Sequence, residues 1–320
     1  MDKKDAKKFE ELYHKENAYA LRTFEEVEEE LRQRRLNYLE MRGEQKKINF
    51  SSYYNSIYAL KALDKGYAEK LVDDIGLCGI SYSTYSWILA NGMYNAYKTC
   101  NMSVLKNALH TKNRLSFGNR LMLCGGFNHS GNFERVIYAF ADCDIDLVEK
   151  YLPKQLGLAD NNTYPFFRPC CNLIMGMVYQ NSSWIKEAQQ QVERFKQRKS
   201  SPKNDILVAC YLLALSEQNT SEASQLLQEI VANYRKMTWI FNFTSEFRKF
   251  FGIYVHGLYN IGYFVLSAER FSQIQVPEHS VFWKELDSYT KEHGFATGKN
   301  IFRLEGELSG LKRLFDNGWN

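Results

Sequence analysis

Apolar positions along this chain recur at steps of three and four and almost never alternate at steps of two, which is the signature of helices packed on one face. Leu21, Phe24, Val27 and Leu31 form such a stripe within an otherwise charged stretch. Around it, Glu25, Glu26, Glu28, Glu29 and Glu30 lie about one turn ahead of Arg32, Arg34 and Arg35. That order favours i,i+4 pairing along a helix. Residues 1–48 hold 12 Lys and Arg against 12 Asp and Glu, with no proline. They read as a charged amphipathic N-terminal helix, either laid against the body of the fold or held out as a docking arm.

From residue 50 the texture changes to shorter apolar helices separated by small and polar residues. The spacing predicts helices over 55–75, 80–98, 103–109 and 114–127, with Ser103 as a cap and a turn at 128–132. Helix pairs follow: 133–143 with 147–152 capped by Asp144, 166–179 with 183–199 capped by Ser182 or Ser183, and 206–215 with 223–234 capped by Thr220 or Ser221. Further helices are expected over 244–264, 279–293 and 304–315, the second opened by Pro277-Glu278-His279-Ser280. Runs of alternating β-branched residues between hairpin turns are missing, so sheet is not expected. The fold class expected is all-α: an irregular, TPR-like αα-hairpin helical-repeat bundle, with residues 49–320 as a single all-helical domain behind the N-terminal helix.

Composition narrows the possibilities. With 320 residues, 45% hydrophobic and 24% charged, the chain is globular in character. Only 5 Pro leave long helices uninterrupted. A net charge of +4, evenly mixed, does not concentrate Lys and Arg as a phosphate-binding face requires, so no nucleic acid is expected. The charged start Met1-Asp2-Lys3-Lys4-Asp5 leads into no apolar core, and the apolar stretch 250–266 is broken by His256, Asn260 and glycines. A secretory signal and a membrane anchor are therefore not expected, and a cytoplasmic protein is. The 7 Cys are scattered and in apolar company, the usage of reduced buried thiols, with core packing preferred over redox chemistry for Cys170-Cys171.

Candidate chemistry is thin. Asp142-Cys143-Asp144-Ile145-Asp146 resembles a calcium loop, yet Leu147 occupies the position that needs glycine and Glu149 comes too early, so capping of the following helix is the expected role. None of the 6 His are paired at i,i+4, and His256 in an apolar helix is expected to be a hydrogen-bonded core residue. No nucleophile elbow or phosphate loop is present. These observations predict no catalytic residues, no cofactor and no metal. Two aromatic segments suit a partner surface instead: Tyr164, Phe166, Phe167 and Arg168 in a proline-bracketed loop, and Trp239, Phe241 and Phe243 between helices. Aromatics with arginine anchor interfaces; the alternative is that these rings plug the core where helix pairs meet.

The stretch from about 133 to 300 resembles a bacterial immunity protein of polymorphic-toxin systems, the family called immunity protein forty-nine. The resemblance is carried by Ile137-Tyr138-Ala139-Phe140-Ala141-Asp142-Cys143-Asp144 leading into Leu147-Val148-Glu149-Lys150-Tyr151-Leu152, by Asp205-Ile206-Leu207 with Tyr211-Leu212-Leu213-Ala214-Leu215, and by residues 223–230. It implies an all-α protein that binds and neutralises a cognate toxin without catalysis or cofactor. A nuclease toxin would call for acidic inhibitor surface, which +4 does not supply globally. Two readings stand beside immunity: a TPR-like adaptor holding an extended peptide, and an enzyme with an unrecognised helical active site.

Overall fold

The computed structural model describes residues 3–17, 23–44, 82–123, 129–160, 164–237 and 246–316. The helix expected over 55–75 lies outside them. The described residues form α1 (Lys3–Asn17), α2 (Phe24–Glu44), α3 (Tyr82–Thr99), α4 (Met102–Leu123), α5 (Phe133–Asp142), α6 (Ile145–Tyr151), α7 (Phe167–Val178), α8 (Ser182–Lys196), α9 (Lys203–Ser216), α10 (Thr220–Asn233), α11 (Ile253–Val265), α12 (Ala268–Ser272), α13 (Lys284–Glu292) and α14 (Lys312–Phe315). Among the described residues there is no strand. The fold is all-α.

Four successive helix pairs, α3/α4, α5/α6, α7/α8 and α9/α10, turn on the same two-residue device. The first helix ends on a residue in the left-handed region: Cys100 (φ 53), Cys143 (φ 63), Gln180 (φ 50) and Gln218 (φ 57). The next residue is Asn101, Asp144, Asn181 or Asn219, whose side chain accepts from the first turn of the following helix. In three of the four, the capping residue's own N–H also reaches back to a carbonyl of the finished helix (Asp144 to Ala139, Asn181 to Gly176, Asn219 to Ala214). One short linker thus satisfies the end of one helix and the start of the next. The device recurs roughly every 40 residues, the scale of helical repeats.

The chain divides into two compact units, one of residues 1–12 with 128–295 and one of 13–127 with 296–320. In the first, α11 crosses α5 so closely that a Cβ on Gly257 would sit 2.2 Å from the Ile137 carbonyl oxygen. Only glycine permits that approach. Buried polar groups brace this core: Tyr211 donates to Leu258 O (2.8 Å), Tyr234 to Phe251 O (3.1 Å) and Asn260 to Phe140 O (3.0 Å). The start of α1 docks here, with Phe9 stacked on Phe247 (4.4 Å between centroids) and Asp5 paired with Arg235. Arg235, lying 4.3 Å over the Phe250 ring, holds the Asp5 carboxyl below its ordinary pKa. In the second unit, α3 pairs with α4, Tyr13 stacks on Tyr94 (3.8 Å) and Val27 and Leu31 are buried.

Several expectations need correction. The charged N-terminal segment is two helices, and Thr23 with Glu26 forms a reciprocal capping box at the start of α2. The helices expected over 103–109 and 114–127 are one, α4, in which the intervening His110, Thr111, Lys112 and Asn113 are buried. The caps of α8 and α10 are Asn181 and Asn219, not the Ser and Thr that follow them. The helices expected from 244 and 279 begin at Ile253 and Lys284, and 304–315 holds a 3-10 stretch, Gly306–Leu311, that runs into the short α14. Asp144 caps α6 as expected, accepting from Leu147 N at 3.1 Å.

Candidate functional site

The loop offered as a partner surface is partly core. Phe166 is fully buried, edge-on to Phe133 (4.9 Å, 78°) and 6.0 Å from Phe195, so the core-plug alternative holds for it. Phe167 and Tyr164 are half-buried, 5.1 Å apart. Arg168 Nε donates to Ala159 O (2.9 Å), and Asn172 brackets the same residue, accepting its N–H (2.8 Å) and donating to its carbonyl (3.0 Å). Trp239, Phe241 and Phe243 lie outside the described residues. His256 is the hydrogen-bonded core residue expected: Nε2 accepts from Trp283 N (3.2 Å) and the ring stacks on Phe282 (4.0 Å). The Cys170 and Cys171 thiols are buried, and burial pushes both well above the ordinary pKa.

One carboxylate stands out. Asp205, in the first turn of α9, is fully buried, and among the described residues neither of its oxygens has a hydrogen-bond partner. Burial pushes its carboxyl up to about 7. The Tyr164 hydroxyl is raised by burial first and by Asp205 second.

What the helices do with non-helical chain is more telling. Thr220, Ser224 and Gln228 occupy one stripe of α10 at i, i+4 and i+8. Thr220 Oγ1 donates to Gln273 Oε1 (2.9 Å), and Ser224 Oγ accepts from Gln275 N (3.0 Å). Gln228 clasps main chain with both ends of its amide, Nε2 to Val276 O (3.3 Å) and Oε1 from Glu278 N (3.1 Å). Gln273 closes α12 in helical conformation and Ile274 is buried; the chain then leaves the helix, and Gln275, Val276 and Glu278 are the residues held through their main chain. Beside this pair of elements opens a trough of about 580 Å³, lined by Thr220, Ser221, Ser224, Gln225, Gln228, Gln273 and Gln275. Among the described residues its lining carries amides and hydroxyls, with no charge and no ring.

The other unit uses the same device with charge. The segment 298–305 runs over α4 and α2: Asn107 Oδ1 accepts from Lys299 N (2.8 Å), Thr111 Oγ1 from Ile301 N (3.0 Å) and Glu28 Oε2 from Arg303 N (2.6 Å). Arg32 donates to the carbonyls of Arg303 (2.8 Å) and Glu305 (2.7 Å) and pairs with Glu28 (2.9 Å). Bonds at 299, 301, 303 and 305 follow the two-residue period of extended chain. Gly298 is pressed against α4, where a Cβ would meet Lys106 O at 2.2 Å. A pocket of about 460 Å³ beside the segment is lined in part by His110, Lys299, Asn300, Lys312 and Phe315.

Fold and site together define an all-helical protein of αα-hairpins whose helix faces hold extended main chain. Set against models of known families, curated proteins and solved structures, the chain matches none. No described helix is long and apolar enough to cross a membrane.

Proposed function

We propose that this protein works by stoichiometric binding of another polypeptide, without catalysis, and that the polypeptide is a toxin encoded beside it. The observation that supports binding is the main-chain reading by helix side chains: α10, α4 and α2 each hold non-helical chain through its backbone groups. Recognition of an extended segment through its main chain is a recurring mode of peptide binding. The toxin-immunity form of the reading rests on the helical texture of residues 133–300. Co-expression with the product of the neighbouring gene tests it. Rescue of growth with co-purification at fixed stoichiometry is the expected result, and a toxic neighbour that is not neutralised sinks it. A TPR-like adaptor for peptides is the second reading, favoured by the same backbone contacts and by the recurring hairpin turn.

A further inference from the structure

We infer that the trough beside α10 is the docking site for an uncharged, extended segment of the partner, recognised through its main chain. The inference rests on the reading of the protein as a polypeptide binder and names where and how it binds. Gln228 displays the chemistry within the same helix, its amide donating to one backbone carbonyl and accepting from the N–H two residues on. Gln225 and Ser221 form the adjacent row of α10, one turn apart, and face the trough. On the opposite wall stand Gln273, at the C-terminal end of α12, and Gln275, in the non-helical chain that follows it. The Ser221 hydroxyl and the side-chain amides of Gln225 and Gln275 form no hydrogen bond to another described residue, although their neighbours Thr220, Ser224 and Gln228 are all engaged. The trough is thus a second lane parallel to the filled one, with its donors and acceptors still available.

The chemistry of the lining selects the occupant. Without a charged group, the trough offers nothing to an acidic or basic side chain, phosphate or carboxylate. Without an aromatic ring, it lacks the stacking platform on which bases, and by the same logic sugar faces, are held. Amides and hydroxyls that both donate and accept match the alternating N–H and C=O of a β-like segment. A volume of about 580 Å³ falls in the range of ligand sites and leaves room for a short stretch of chain.

The test uses the full-length chain and a capped, uncharged Ser/Thr/Ala peptide, beside an analogue carrying alternate backbone N-methyl groups and a neutral oligosaccharide. NMR follows the side-chain amides of Gln225, Gln228 and Gln275. The expected result is that the unmethylated peptide shifts Gln225 and Gln275 together while the methylated one does not. Gln225→Ala, an exposed and helix-compatible change, is expected to weaken binding about threefold to tenfold with helix content unchanged. Equal shifts from the methylated peptide or from the oligosaccharide overturn main-chain recognition, and no shift at these amides overturns the site. A toxin that co-purifies yet leaves the side-chain amide signals of Gln225 and Gln275 unshifted also overturns the site, while preserving the broader reading. Peptide binding at the trough without growth rescue does the reverse.

Discussion

The segments 275–278 and 298–305 are held by the same principle and differ in how completely. Over α4 and α2, contacts continue at 299, 301, 303 and 305, a guanidinium takes two carbonyls, and a glycine presses the chain onto the helix. Over α10, two neutral side chains, Ser224 and Gln228, hold 275–278 and an open lane runs beside it. Charge and close approach build a strap that is part of the architecture. Neutral amides with space beside them build a surface that can still receive chain. The difference teaches that helix side chains at i, i+4 read backbone in two grades, one structural and one open to binding.

The largest effect expected concerns the unit that carries the open lane. Asp205 has its folded pKa raised to about 7 from 3.8, so its favourable contribution is fully present below the unfolded pKa and is lost as pH rises through 7. Asp205→Asn should therefore raise stability by about 2–4 kcal/mol at pH 8 and leave it unchanged near pH 4. Urea unfolding at both pH values checks this; an equal effect at the two would contradict the protonation account. Next, Gly298→Ala should cost about 2–3 kcal/mol, because backbone must move to admit the new Cβ. Loss of amide protection at 299 and 301 would accompany it, while 275 and 278 would keep theirs.

The two clamps can be compared directly. Arg32→Ala is expected to cost about 1–2 kcal/mol, less at high salt, since its bonds are charge-assisted and partly exposed. Gln228→Ala should cost about 1 kcal/mol and show no salt dependence. Equal salt sensitivity would erase the distinction between structural and neutral clamps. The smallest effect belongs to the hairpin device: Gln218→Gly should stabilise by about 0.5–1 kcal/mol, since glycine occupies φ 57 without strain.

Much of the helical layout was legible from apolar spacing, because each helix buries one face and the spacing records it. The unit α5–Asp144–α6 and the core role of His256 follow from local pattern alone. The capping box Thr23–Glu26 and the Asn caps were equally present in the residues, yet Ser182, Ser183, Thr220 and Ser221 compete as caps on composition. What decides is the preceding residue in the left-handed region, which puts the Asn in the single linking position, and that conformation is invisible in sequence. The polar run His110 to Asn113 looks like a helix break because its purpose is tertiary: Thr111 holds Ile301, 190 residues away. The candidate site hides for the same reason. Thr220, Ser224 and Gln228 read as an ordinary solvated stripe until residues 273–278 arrive from about 50 positions on.

The most direct test of the central claim, that helix side chains hold extended backbone in both units, is amide hydrogen exchange on the intact chain. The amides of Gln275, Glu278, Lys299, Ile301 and Arg303 lie outside every helix, and the account predicts that all five exchange far more slowly than unstructured peptide, with 299, 301 and 303 slower than 275 and 278. Exchange of these amides at the rate of unstructured peptide would contradict it.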